Sequence, residues 1–182
     1  MDGDHAAYGL FTDAGLASVV MFGPDYAANL STWRFDGQII ALLRGATAPW
    51  APRNAASKLI RGAMRLLPAE FRIVTTMTDA TVGERGAIYK AAGFLPIKTA
   101  KSGRRALVRF RGQYLSERSA RRRFGTSSAR KLAKLGLRVE TVPRRLRWFA
   151  FRGSRIERRR LRRVLAGLIE PKYCSVFETL RI

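Results

Sequence analysis

The chain is poor in the residues that build extracellular scaffolds and metal sites. Its 182 residues include one cysteine, Cys174, and one histidine, His5. A lone thiol excludes an internal disulfide framework and a cysteine-based zinc site, which fits a reducing cytoplasm. A single histidine cannot furnish the usual two-histidine, one-carboxylate iron site. Long apolar runs are missing too: none approaches the roughly 20 residues a bilayer span needs, and the N-terminus lacks a basic segment followed by an apolar one. The expectation is neither a membrane span nor secretion. Acids are the last scarcity, with 13 Asp and Glu against 35 Lys and Arg.

The resulting formal charge of +22 and pI of about 11.6 exceed what solubility requires and predict a polyanionic partner. The excess is concentrated. From Lys101 to Arg163 only Glu117, Glu140 and Glu157 are acidic, while Arg121, Arg122, Arg123, Arg144, Arg145, Arg147 and the run Arg158–Arg160 crowd the same region. An isolated charge run is usually a solvated helix face; a third of a chain with one sign would repel itself without counter-charge. Arginine outnumbers lysine, which suits forked hydrogen bonding to phosphates. Trp148 and Phe149 lie in the same region and cannot both face one side of an alternating strand, so one of them is expected to be open to a base. Aromatics of this kind more often belong to a core.

A chain of this length with 47% hydrophobic residues is expected to form one domain with a sizeable core. The pattern predicts an α/β order. Tyr8 to Phe11 and Ser18 to Phe22 flank Thr12-Asp-Ala-Gly15 as a hairpin, and Ile39 to Leu43 and Arg72 to Thr76 read as central strands. Between these strands, residues 53 to 67 put Leu59, Ile60, Ala63, Met64 and Leu67 on one helical stripe. Leu95 to Thr99 and Ala106 to Phe110 are expected to continue the sheet. Ser127 or Ser128 caps a short helix ending at Gly136, and Val139 to Val142 is expected to pair with Leu146 to Phe151. Ser154-Arg-Ile-Glu157 is a capping box opening a last helix, with Ile156, Leu161, Val164, Leu165 and Leu168 on its buried side.

Thr78-Asp-Ala-Thr-Val-Gly-Glu-Arg-Gly-Ala-Ile-Tyr-Lys-Ala-Ala-Gly-Phe94 leaves a strand with an acid at its end and enters a helix that returns a tyrosine. Asp79 and Tyr89 can then face one cleft. The plainer alternative has Asp79 capping the following turn and Tyr89 in the core. Upstream, Asn54 and Ser57 stand at a helix start whose free N–H groups could hold a pyrophosphate, although a merely well-capped helix reads the same way and no glycine-rich loop precedes it.

The order strand, turn, helix, strand, turn, helix looks like the central half of an N-acetyltransferase of the GNAT type. The Leu42-x-Arg44 strand, the helix start at Asn54 and Ser57, then Asp79, Gly83, Gly86-x-Ile-Tyr89 and Ala91-Ala-Gly-Phe94 together resemble the bacteriophage Mu Mom family. The resemblance covers residues 39 to 97 well, and more loosely the hairpin 8 to 23 and the basic-aromatic strand from Pro143 to Phe149. It implies a GNAT-like fold, with a mixed central sheet flanked by helices and a basic C-terminal extension. The single domain expected is 1–182, with a cofactor and catalytic core over 1–100 and a basic, DNA-binding portion over 101–182 that completes the sheet. It also implies phage-encoded alteration of the exocyclic N6 of adenine in DNA, in the host cytoplasm, as a shield against restriction nucleases. An acetyl-CoA or related acyl-CoA donor and iron are implied cofactors.

Residue by residue, Arg44, Asp79 and Tyr89 match the family's functional arginine, strand-end aspartate and helix tyrosine. The helix start at Arg53, Asn54 and Ser57 is where the coenzyme is expected, and the charge concentration points to Arg121, Arg122, Arg123, Arg144, Arg145, Arg147 and Trp148 as the DNA-binding residues. Two positions depart from the family pattern. Ala41 replaces an acid that often precedes Leu-x-Arg, and the His-Tyr pair before the first hairpin has only His5 and Tyr8 as nearby candidates. A shortened start, a member working without the pair, and altered chemistry all fit that departure.

The chemistry constrains roles. The N6 lone pair of adenine is delocalised and its edge is paired in a duplex, so a flipped base or single strand is required. Asp79 is expected to accept a hydrogen bond or proton from N6 or to ligate a metal, Tyr89 to donate to the departing group or an oxyanion, and Arg44 to fix a carbonyl or phosphate. Two further readings stand beside this one: a GNAT acyltransferase acting on a small amine, protein or RNA, and a non-catalytic nucleic-acid-binding protein on the same fold.

Overall fold

A computed structural model describes residues 6–24, 35, 37–97, 104–143 and 145–168. The backbone divides into two compact units: Met1–Thr78, Gly86–Thr99 and Leu146–Ile182 form the first, and Asp79–Arg85 with Ala100–Arg145 the second.

The first unit is a six-stranded mixed sheet with helices on both faces. Its strands are β1 (Ala6–Thr12), β2 (Gly15–Gly23), β3 (Ile39–Thr47), β4 (Ile73–Thr78), β5 (Leu95–Ile97) and β9 (Leu146–Phe151), in the order β1-β2-β3-β4-β9-β5. β1 and β2 form the expected hairpin across the turn at Asp13 and Ala14. The parallel pair in this sheet is β3 with β4, in register only from Ile39 opposite Ile73 to Ala41 opposite Thr75. Beyond that the ladder ends, and the Thr76 hydroxyl donates to the Leu42 carbonyl at 3.1 Å instead.

Alternation along the strands sorts the apolar residues into two cores. Val20, Phe22, Ile40, Leu42, Val74, Trp148 and Ala150 face one side, where Leu59, Ile60, Ala63 and Met64 of helix α1 (Ala55–Leu66) cover them. Ala92 and Phe94, which follow the short helix α2 (Ala87–Ala91), join the same core. Ile39, Ile73, Phe149 and Phe151 face the other side, under Leu165 of helix α5 (Arg155–Leu168). Burial of such side chains at roughly 1.5–3 kcal/mol each is the main stabilising contribution. The α5 capping box forms as expected: Ser154 N–H donates to Glu157 Oε2 at 2.7 Å and Glu157 N–H to Ser154 Oγ at 3.2 Å.

The second unit is a three-stranded antiparallel sheet, order β7-β6-β8, made of β6 (Arg104–Phe110), β7 (Gln113–Leu115) and β8 (Val139–Pro143). Helices α3 (Glu117–Phe124) and α4 (Ala129–Lys134) lie between β7 and β8 in sequence. Ala120 and Leu132 bury against Val108, with Phe110, Leu115, Phe124, Leu137 and Val139 around them.

Several strand and helix expectations are corrected. β6 does not continue the large sheet but pairs with β7 and β8. β8 pairs with β6, not with β9. The reason is burial: residues Trp148 to Phe151 of β9 are buried throughout and need neighbours and cover on both faces, so β9 lies between β4 and β5. β8 is half exposed and suits a smaller sheet. Ile156 is 81% exposed, because nine residues at 3.6 per turn place it about half a turn round α5 from buried Leu165. The side chain of Leu168 and residues 98–99 of the expected fifth strand lie outside the described residues, as do His5 and Cys174.

Candidate active site and nucleic-acid surface

Asp79 follows β4 directly and caps a 3₁₀ turn, Ala80–Val82. Both of its oxygens are engaged. Oδ1 accepts from the Thr81 N–H at 3.1 Å and the Thr81 hydroxyl at 2.6 Å. Oδ2 accepts from Arg105 Nη2 at 2.7 Å and Arg145 Nε at 2.8 Å. Partial burial by itself would raise this carboxyl's pKa; the donors of Thr81, Arg145 and Arg105 outweigh it and hold the group far below the usual carboxylate range. A carboxylate stabilised in this way is a weak base. The surroundings therefore match the capping alternative and an anchoring role, and they do not support proton acceptance by Asp79.

Tyr89 is half-buried in α2, where its ring packs against Phe94 at 5.8 Å and Trp148 at 6.2 Å between centroids. Gly86 starts this helix at φ +74, and a Cβ there would lie 2.0 Å from Trp148 Cζ2. Glycine is thus required twice over, by conformation and by contact. Trp148 itself is buried, 5% exposed, with Nε1 donating to Thr78 Oγ1 at 3.0 Å. The expectation of an aromatic open to a base is corrected: Trp148 and Phe149 do point to opposite faces, and each face has a core.

Arg44 lies on the exposed half of β3. Opposite it the β2 pairing slips, with Phe22 against Leu42 but Met21 against Arg44, leaving Leu43 as an extra residue. A bulge of this kind re-aims the strand and is common beside functional sites. Tyr8, the nearby candidate for the family pair, packs edge-on against Phe22 at 5.8 Å.

At the start of α1, Asn54 takes a left-handed conformation, φ 66, so it supplies the turn for which a glycine loop is customary. The Ala55 N–H bonds the Pro52 carbonyl, and the Lys58 N–H the Asn54 carbonyl. The amides of Ala56 and Ser57 lie in the first turn, beyond intrahelical acceptors. The Ser57 hydroxyl donates back to the Asn54 carbonyl at 3.1 Å, the first turn holds no acid, and Arg53 is exposed beside it. These residues fit a diphosphate. An iron site fits less well: among the described residues no group of three His, Cys, Asp or Glu side chains could hold a metal, and Asp79 is already saturated.

Of the basic residues, Arg121, Arg122 and Arg123 are exposed on α3. Arg121 donates to Ser127 Oγ at 3.3 Å, and the Arg123 guanidinium lies 4.3 Å over the Phe110 ring. Arg147 is half-buried in β9, and Arg144 lies outside the described residues. Arg145 is joined to Asp79, so a residue expected to touch DNA and one expected to do chemistry belong to one cluster. Arg105 is the member that sequence reasoning missed. Its signal was faint: in so basic a region, an acid such as Asp79 attracts several arginines, and the sequence does not say which.

A mixed α/β chain with this charge excess is a polyanion-directed protein. The profile of the Mom protein family matches residues 1–171, and the chain belongs to that family. No curated protein matches it. Membership implies a DNA-modifying function, with DNA as the substrate.

Proposed function

We propose that the chain is a GNAT-like transferase that modifies the exocyclic N6 of adenine in DNA with an acyl-CoA-type donor, in the cytoplasm of a phage-infected bacterium. The observation that carries the DNA-modifying part is the family match over residues 1–171. The transferase part draws on the first unit. Its short parallel pairing, β3 with β4, ends after three residues, and the amide-rich start of α1 follows β3. A strand pair that parts in this way leaves backbone groups available to an extended ligand, and the first turn of α1 suits the ligand's diphosphate.

When bound, a thioester donor would supply an activated acyl carbon: an N–C bond at N6 would replace the C–S bond, the thiol would leave with a proton from Tyr89, and the proton lost by N6 would restore the tyrosine. Arg53 and the Ala56 and Ser57 amides bind and orient the diphosphate. Tyr89 holds a proton at Oη in a half-buried setting, suited to donating to a departing sulfur or a developing oxyanion. Arg44, beside its bulge, orients a carbonyl or phosphate. Asp79 acts through Arg105 and Arg145, as an anchor. Iron is left out of this scheme.

The saturation of Asp79 favours a second reading, a nucleic-acid-binding protein without catalysis. Expression in a bacterium, digestion of total DNA to nucleosides and mass spectrometry separates the two. A deoxyadenosine of increased mass, absent with Tyr89→Phe and Arg44→Ala, is the expected result. An unmodified profile from soluble, DNA-binding protein selects the second reading.

A further inference from the structure

In the second unit, the two acids that are tucked inward are already neutralised. Asp79 holds Arg105 and Arg145, while Glu140 holds Arg138 at 2.7 Å, lies 3.7 Å from Arg109 and accepts from the Tyr114 hydroxyl. These contacts occupy four arginines and leave the rest of the unit's positive charge without that counter-charge.

More than half of the remainder is gathered on the α3–α4 hairpin, two short helices joined by Gly125 to Ser128. α3 exposes Arg118, Arg121, Arg122 and Arg123; α4 exposes Arg130, Lys131 and Lys134. The opposite faces of both helices, through Ala120, Phe124 and Leu132, are committed to the small core. The one acid on the hairpin, Glu117, sits in the first turn of α3. Two guanidiniums are pre-oriented, Arg121 by Ser127 and Arg123 by Phe110, which lowers the entropy lost on gripping an anion.

We infer that the α3–α4 hairpin is a docking surface for the sugar-phosphate backbone of duplex DNA, holding the substrate independently of base sequence. The inference rests on the reading that DNA is the substrate. An eight-residue helix spans about 12 Å, and one strand of a duplex presents a charge every ~3.4 Å of axis, so α3 alone covers about three phosphates. Duplex is favoured over single strand because the unit's aromatics are spent: Phe110 and Phe124 stack edge-on at 5.7 Å within the core, and Tyr114 is bonded to Glu140. Single-strand binders need free aromatic platforms for unpaired bases. From Glu117 to Lys134 there is no Asn or Gln to read adenine edges.

The test uses the full chain and a labelled duplex of random sequence, with affinity followed by fluorescence anisotropy over a series of KCl concentrations. Arg118→Gln with Arg122→Gln, and separately Arg130→Gln with Lys134→Gln, avoid the two arginines that have partners. Each pair is expected to flatten the log affinity against log salt slope by roughly 1.8, at about 0.9 per lost phosphate contact, with an unchanged melting temperature. Arg158→Gln with Arg159→Gln on α5 serves as a charge-matched control that should flatten the slope less. Native slopes in both hairpin variants, a larger effect from the α5 pair, or tighter binding of single-stranded DNA or duplex RNA than of duplex DNA would each overturn the inference. Nucleoside analysis separates its failure from that of the proposed function: unmodified DNA with flattened slopes removes only the chemistry, and modification by variants with native slopes removes only the docking surface.

Discussion

Arg145 and Asp79, 66 residues apart in sequence, meet through a 2.8 Å hydrogen bond from Nε to Oδ2, and Arg105 completes the cluster from β6. The bond closes the second unit by tying the end of its last segment to its first residue. Asp79→Asn removes the charge that two guanidiniums share, and a hydrogen bond to a charged group contributes about 1.5–3 kcal/mol. Since Arg145 is half exposed, the lower end of that range is expected for it. Asp79→Asn, which loses both pairs, should therefore lower the urea midpoint more than Arg145→Gln, which loses only the more exposed one, and the double variant should lower it by less than their sum.

The same cluster sets an acid limit. The Asp79 pKa is depressed in the folded state relative to its ordinary value of 3.8, so its stabilisation is fully present above pH 4 and is lost as pH falls further. Glu140 and Glu157 are shifted in the same direction, the first chiefly by the Tyr114 hydroxyl and the second by the Ser154 N–H. Melting temperature should be flat from pH 6 to 8 and fall below about pH 4. Circular dichroism should show a shallower acid fall for Asp79→Asn than for the native chain; equal falls would remove Asp79 from the account.

Gly86→Ala tests the seat of Trp148. The added Cβ meets the indole at 2.0 Å, and φ +74 is unfavourable for alanine by about 1–2 kcal/mol. With an overpacking cost of about 1–3 kcal/mol, the variant should lose roughly 2–5 kcal/mol in urea unfolding followed by tryptophan fluorescence. A near-native midpoint would mean that α2 starts elsewhere.

Trp148→Phe keeps most of the ring volume and deletes the Nε1 donor to Thr78, for a loss of about 1–3 kcal/mol. DNA affinity at a fixed salt concentration should stay within a factor of two or so, about 0.4 kcal/mol, because the ring is buried. A large loss of affinity in a folded variant would restore the base-stacking role.

Local chemistry made much of the fold legible. The hairpin around Asp13 and Ala14, the apolar stripe of α1 and the Ser154-Glu157 box each depend on neighbours within a few residues, and each forms as the sequence predicts. What escaped depends on distant partners. Val139 to Pro143 and Leu146 to Phe151 look like a hairpin to any local reading, yet they enter different sheets, because only the burial demand of Trp148 to Phe151 separates them. α3 was hidden because its arginines leave only Ala120 and Phe124 to mark an apolar side. At the site, Asp79 was found by its place at a strand end, but its role turns on Arg105 and Arg145, two among 35 basic residues.

Tyr89→Phe isolates chemistry from packing. The ring contacts with Phe94 and Trp148 involve carbon faces that phenylalanine retains, so stability should change by under about 1 kcal/mol. Removing Oη deletes only the proton that the proposed scheme assigns to the departing group, and such a donor contributes typically 10²–10⁴-fold. Modified deoxyadenosine should then vanish from host DNA while the salt dependence of duplex binding stays native. If Tyr89→Phe modifies DNA normally, the tyrosine is a core residue, and the proton donor must be sought among the other polar groups of the first unit.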